Sequence, residues 1–168
     1  MIVELGHFAL ALAAAVALVQ MLAPLAARYL VVESRGLAMQ MMALASPAAL
    51  IKLGLITLSF LALTHAYVVS DFSVENVWAN SHSAKPLIYR ISGVWGNHEG
   101  SMLLWVLMVA GFGATVALYG AHLPPTLIAN VLAVQGAIGF AFLLFILLVS
   151  NPFLRLADGR QVVLDVVL

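Results

Sequence analysis

The run Trp95-Gly96-Asn97-His98-Glu99-Gly100-Ser101 holds the densest set of chemically capable side chains in this chain. His98 supplies an imidazole that can exchange a proton or ligate a metal, and Glu99 places a carboxylate beside it. Gly96 and Gly100 permit a tight turn or a close backbone approach to a flat ligand. Ser101 is placed to cap the helix that follows, whose positive end favours an anion such as Glu99 or a ligand carboxylate. The same residues also make a plain interfacial turn with an aromatic anchor and a helix cap, and composition alone favours that plainer reading.

A second candidate is the pair His7 and His65. Each sits a turn or two inside one end of an apolar run, and two antiparallel neighbouring helices would set them at similar depth. Bis-histidine haem ligation between helices needs that arrangement. The competing reading has each histidine meeting the interface or bonding a nearby hydroxyl such as Thr64. His82 reads as a solvated loop residue. Trp78, Trp95 and Trp105 make an aromatic platform possible, but tryptophan gathers at membrane surfaces whatever a protein does. Asn130 and Gln135 are expected to hydrogen-bond between helices. Gly111, Gly113, Gly136 and Gly139 suggest close packing of the third and fourth apolar runs. The sequence has no P-loop, dinucleotide fingerprint, His-Glu-x-x-His zinc motif or nucleophile elbow.

The elements that must hold these residues are set by composition. Hydrophobic residues make up 64% of the 168 positions and charged residues 8%, with a mean hydropathy of +1.11. A soluble domain needs a polar shell that this chain lacks, so it reads as an integral membrane protein. Zero net charge removes the electrostatic basis for binding nucleic acid. No cysteine is present, which excludes disulfides, thiolate metal sites and haem attachment through the chain's own Cys-x-x-Cys-His. The N-terminus lacks the basic region and cleavage site of a signal peptide, so its first apolar run is expected to remain as a helix.

A bilayer-spanning helix takes about 20 residues, and four runs are long enough. The first covers residues 2–26, with Pro24 marking its end, and a connector with Arg28, Glu33 and Arg35 follows. Residues 37–45 are apolar but too short to span, and either lie in the interface or extend the second helix by a bent turn. The second span starts at Ser46-Pro47, a capping hydroxyl and a first-turn proline, and runs to residue 69. Lys52 in its first turns is expected to snorkel to the headgroups. The third span covers 101–119, residues 120–125 turn, and Thr126 caps a fourth span that ends near residue 149. Ser150-Asn151-Pro152 stops that helix, and the tail holds Arg155, Asp158, Arg160 and Asp165.

The predicted fold is therefore an all-α polytopic bundle of about four transmembrane helices in one membrane domain, residues 1–168. Its one long ordered loop covers about 70–100. The loop lies between apolar runs, holds all but one of the tryptophans, and carries Asp71, Glu75, Lys85, Arg90 and Glu99. Four spans put both termini on the side of the loop. The N-terminal tail has Glu4 and no basic residue, while Arg28, Arg35 and Lys52 flank the first connector. The termini and loop are thus expected outside, which in a bacterium is the periplasm.

Several blocks carry a resemblance. Residues 69–74 (VSDFSV), Val77, Asn80-Ser81, Pro86 and the block from Trp95 to Trp105 resemble the N-terminal part of the CcmF family of cytochrome c-type biogenesis proteins. Glu4-Leu5-Gly6-His7, Leu44-Ala45-Ser46-Pro47-Ala48 and Ser150-Asn151-Pro152-Phe153 extend the likeness over most of the chain. The resemblance implies a haem lyase subunit of the inner membrane. It would take haem from a chaperone and act with other cytochrome c maturation subunits to join haem to the thiols of apocytochrome c. Family members are several times longer, and their tryptophan-rich haem-handling signature and outer histidines lie beyond this chain's end. The chain is accordingly expected to be a fragment, a truncated product or one piece of a split protein. Haem would be held mainly by segments not present, no metal ligand is assigned, and the chain alone is not expected to be catalytic. Candidate contacts with haem are Trp95, Gly96, His98, Glu99, Gly100 and Ser101. After Asp158-Gly159-Arg160 the likeness stops. Two other functions remain open, a small multi-span structural or assembly subunit without cofactor and a transporter fragment. The latter is disfavoured because no span is broken or lined with charge.

Overall fold

In a computed structural model, which describes residues 1–30 and 34–156, the chain is helical nearly throughout. Helix α1 covers Ile2–Leu30, α2 Arg35–Ala43, α3 Ala45–Val68, α4 Glu75–Asn80, α5 Leu87–Gly93, α6 His98–Tyr119 and α7 Pro125–Leu148, with a 3-10 turn at Gly120–His122. Among the described residues four segments are long and apolar enough to cross a membrane: Ile2–Leu30, Arg35–Val68, His98–His122 and Pro125–Leu148. Large apolar side chains such as Phe112, Val134 and Leu148 stay exposed on these helices, as a lipid-facing surface requires. Glu33 and the expected tail charges Asp158, Arg160 and Asp165 lie outside the described residues, as does the point at which the family likeness stops.

Small residues decide how the helices meet. α1 packs against α3 and α7, α3 against α6, and α6 against α7. Without a hydrophobic driving force between lipid-embedded helices, close backbone approach supplies the attraction, and alanine and glycine permit it. Ala13, Ala17, Ala49 and Ala62 are buried at these contacts. A Cβ at Gly6 would lie 2.7 Å from the Ala62 Cβ and 2.8 Å from the Phe153 ring.

Several boundaries differ from those read in the sequence. Pro24 does not end the first helix. It is buried inside α1, which continues to Leu30. A proline there forfeits one backbone bond, a smaller cost than exposing a helix end to hydrocarbon. Residues 37–45 take the bent-extension alternative. Leu44 keeps helical dihedrals between α2 and α3, and its N–H bonds the Met41 carbonyl at 3.3 Å. Ser46 therefore caps nothing, because the turn before it already supplies acceptors, such as the Leu44 carbonyl for the Ala48 N–H. Thr126 likewise makes no cap bond. α7 starts on Pro124 and Pro125, whose fixed φ and missing donor leave less to cap.

The glycines divide their work. Gly113 faces Gln135, as α6–α7 packing demands, but Gly111 faces open space. Gly136 lies against the α1 backbone at Ala17 and Met21, and Gly139 faces Lys52. The interhelical bonds are as expected: Asn130 accepts from Arg28 Nη2 at 2.8 Å, and Gln135 Nε2 donates to the Val109 carbonyl at 2.9 Å. Lys52 does not snorkel. It is 1% exposed, and its ammonium would lie 3.2 Å from a Cβ placed on Gly139. The missing side chain on α7 opens a notch that turns the lysine inward. Its Nζ has no hydrogen-bond partner among the described residues, nor do Gln20 Oε1 and Ser59 Oγ.

Candidate functional site

The loop end is built on the last turn of α3. Val69 closes the helix, Ser70 adopts a left-handed φ of 55°, and two reversed bonds follow. The Asp71 N–H bonds the Ala66 carbonyl at 2.9 Å and the Ser70 N–H bonds the Tyr67 carbonyl at 3.2 Å. This pattern satisfies carbonyls left over at a helix end and turns the chain sharply. The turn aims residues 71–74 back across the bundle toward the segment that leaves α7. There Val74 and Arg155 form an isolated antiparallel bridge, flanked by Glu75 N–H to Leu154 O at 2.9 Å and Leu156 N–H to Ser73 O at 3.0 Å.

Charges lock the same corner. The Arg155 guanidinium pairs with Glu4, donates to the Ser73 hydroxyl and lies 3.7 Å from Asp71 Oδ2. Glu4 also pairs with the N-terminal amine. The start of α1, the loop and the segment after α7 are thus held at one end of the bundle, where four spans were expected to place them. Arg90 does a similar service inside the loop, donating to the carbonyls of Val68, Ser83 and Lys85. Lys85 donates to the Asn80 carbonyl at 2.8 Å. The loop is ordered because its cations collect its loose carbonyls.

Beneath the Trp95–Ser101 block lies a network that the sequence did not announce. Tyr67 is fully buried at the end of α3, and its hydroxyl donates to Asn76 of α4. Asn76 Nδ2 donates to Asn97 Oδ1 at 2.9 Å and to Glu99 Oε2 at 3.1 Å. Asn97 Nδ2 donates to the Tyr67 hydroxyl and to the Gly93 carbonyl, both at 2.9 Å. Asn97 is also the cap of α6, its Oδ1 accepting from the Gly100 N–H at 2.8 Å. Ser101, the expected cap, sits one turn inside and donates to the His98 carbonyl. The signal for Asn97 was present as an asparagine three residues before a helical position. Tyr67 and Asn76 gave none, because partners nine and thirty residues apart leave no local pattern.

This network sorts the candidate residues into two groups. Gly100 and Glu99 belong to the scaffold. Gly100 is buried, and a Cβ there would lie 1.6 Å from the Val94 carbonyl oxygen. Trp95, Gly96 and His98 are exposed, with Trp95 at 42%. No glycine among the described residues has a positive φ, so the turn uses glycine for close approach at Gly100 and not for left-handed backbone. At Gly96 a Cβ would find its nearest neighbour at 3.4 Å, an ordinary contact. The outward face is therefore an indole and an imidazole on a rigid base. It can stack on a flat ring or meet a partner surface, and it encloses nothing.

His7 and His65 have different surroundings. His65 is exposed, whereas its α3 neighbours Ala62 and Ala66 are buried. His7 Nδ1 lies 3.3 Å from Asn151 Nδ2, and its ring meets Phe153 edge-on at 6.3 Å. These three residues help line a groove of about 390 Å³ between α1 and the segment after α7. Among the described residues no group of three or more histidine, cysteine, aspartate or glutamate side chains is placed to hold a metal ion. The exposed Trp95 and His98 fit contact with the edge of a haem.

No family model matches the chain. It is 58% identical over 159 residues to the cytochrome c-type biogenesis protein ccl1 of Rhodobacter capsulatus, covering 95% of this chain and 23% of the relative. Against the cytochrome c-type biogenesis protein CycK of Rhizobium meliloti the identity is 58% over 165 residues, covering 96% and 24%. The cytochrome c-type biogenesis protein CcmF of Pseudomonas aeruginosa is 47% identical over 156 residues, covering 93% and 23%. A solved structure described as cytochrome c heme lyase CcmF matches with a TM-score of 0.80 at 25% identity, covering 99% of this chain and 27% of that one. The chain spans about a quarter of the length of these relatives.

Proposed function

The chain belongs to the CcmF family of cytochrome c-type biogenesis proteins, as its N-terminal part, and from that premise we propose that it is the portion of a haem lyase subunit that braces a haem-facing or partner-facing surface. The observation that carries this reading is the division within the Trp95–Ser101 block. Asn97 is tied to α3 and α4, Glu99 to α4 and Gly100 to the Asn97 side chain, while Trp95 and His98 are held outward on that base. Rigid support for an exposed aromatic is what a docking surface requires, since a preordered side chain loses little freedom on binding.

The substrate side of the reading is haem supplied by a chaperone subunit and passed to apocytochrome c, with the other maturation subunits docking at the same end. Trp95 offers a π-face to a porphyrin edge or to a partner's apolar side chain. His98 offers a hydrogen bond to a haem carboxylate, and its exposure leaves shape and contact, more than proton transfer, as the work of the site. The loop end faces the periplasm of a bacterial inner membrane, with the arginines of the first connector inside. A cysteine at Ser83 labelled by an impermeant thiol reagent on spheroplasts, with one at Gly120 protected, supports that orientation; the reverse pattern overturns it.

The test of the site uses the full-length protein in cells that depend on it for cytochrome c. Trp95→Ala is expected to lower covalent c-type haem severalfold at unchanged protein level, whereas His98→Gln keeps most of it. Wild-type haem content in Trp95→Ala would remove the docking reading. Loss in His98→Gln alone would make the turn a chemical site. A small structural subunit without cofactor, the competing function, predicts that neither change matters while the protein remains in the membrane.

A further inference from the structure

The two ends of the bundle differ in charge. All four carboxylates among the described residues, Glu4, Asp71, Glu75 and Glu99, lie at the loop end. The opposite end carries Arg28 in the last turn of α1, exposed Arg35 at the start of α2, and His122 in the turn before α7. Glu33, between the two arginines in sequence, is outside the described residues. Arg28 is held in place by its bond to Asn130 on α7, which occupies one of its five N–H donors and leaves the others for an anion.

A groove of about 510 Å³ opens at this same end, between α2, the start of α3 and the first turns of α7. Its walls are apolar, with Met39, Met42, Leu123 and Ile128, and two hydroxyls come from Ser46 and Thr126. Neither arginine lines the groove itself: Arg35 shares a face of α2 with two of its lining residues, and Arg28, at the end of α1, reaches α7 through Asn130. Arg35, Met39 and Met42 fall on one face of α2 at spacings of four and three. Thr126 and Asn130, the latter holding Arg28, fall on one face of α7 at a spacing of four.

We propose that this groove binds an anionic phospholipid, with one acyl chain along the methionine-lined walls and the phosphate between Arg35 and Arg28. The groove lies on spans that face lipid, so an acyl chain is the apolar partner at hand, and methionine walls adapt to an irregular chain. Two arginines at this end, with no carboxylate among the described residues there, complement a phosphate, which arginine binds through parallel N–H donors. Basic pockets between spans bind anionic headgroups by this chemistry. The inference does not depend on the function assigned to the loop end.

Native mass spectrometry of the detergent-purified chain, offered phosphatidylglycerol or phosphatidylcholine with identical acyl chains, tests it. Phosphatidylglycerol should be retained roughly tenfold better, as two nearby cations would give. Arg35→Gln, and more so Arg28→Gln with Arg35→Gln, should remove most of that preference. Ala43→Phe, which fills the groove and spares both arginines, should reduce retention of the lipid. Lys85→Gln at the loop end should leave it unchanged. Equal retention of the two lipids, or a preference untouched by both the arginine and the groove variants, overturns the proposal. So does displacement of the lipid by millimolar inorganic phosphate, which would mark a phosphate site instead of a lipid groove.

Discussion

Tyr67 and Lys52 lie on the same helix and are both buried to within 1% of full enclosure, yet their surroundings are opposite. The Tyr67 hydroxyl, at the loop end of α3, is bonded to Asn76 and Asn97, which are themselves bonded onward to Glu99 and the α6 backbone. Lys52 lies near the other end of α3, in a notch beside Gly139, with no protein acceptor among the described residues. A buried polar group that is fully bonded fixes a structure, whereas one left unbonded is a cost carried for another reason. The loop end is thus built for a unique conformation. The lysine is tolerated because its ammonium fits the notch.

That contrast can be broken from either side, and the largest effect is expected at Gly100. Any Cβ there meets the Val94 carbonyl, so Gly100→Val must shift backbone at the foot of α6 and pull Asn97 out of its bonds. A loss of about 3 kcal/mol or more is expected in denaturant titrations in mixed micelles. A near-neutral result would mean that the α6 terminus is not held as tightly as its contacts indicate. Asn97→Ala comes next. It removes the α6 cap and the partners of Tyr67 and Asn76 together, for about 1–3 kcal/mol. The covalent haem content of cells carrying it should fall with it, because the base under Trp95 loosens. Lys52→Met carries the opposite sign and the smallest size. A flexible apolar side chain of similar length should fit the notch and stabilise the chain by roughly 1 kcal/mol. Destabilisation by Lys52→Met would show that the amine has an acceptor in the native membrane and would erase the contrast.

The four spans were legible because length and apolarity are the only properties a lipid-embedded helix must have, and both are written locally. So were Asn130 and Gln135, since an amide in a span has few options besides another helix. The misreadings share a cause. Pro24, Ser46 and Thr126 were read by rules for helix ends in water, where exposed amides seek a capping side chain. In this bundle a preceding turn removed the need at Ser46 and prolines removed it at Thr126, while Pro24 stays inside α1 because a helix end in hydrocarbon would cost more than one lost bond. Within the candidate site, the block itself stood out, but its partition did not. Gly96 and Gly100 look alike in sequence, and only the Val94 carbonyl makes one of them indispensable. The Arg155 cluster with Glu4, Asp71 and Ser73 joins three segments far apart in the chain, and nothing local marks such a meeting.

The notch at Gly139 also has a consequence in time. A ribosome that has just placed Lys52 must add 87 more residues, from position 52 to position 139, before the notch exists. At about 5–20 residues per second that interval is roughly 4 to 17 seconds. Through it α3 crosses the bilayer as a helix with a lysine near one end, and a long aliphatic stem lets the amine rest among the headgroups meanwhile. The inward rotamer is therefore a product of late assembly. A newborn chain interrupted before α7 is expected to display the amine at the membrane surface to a water-soluble amine reagent.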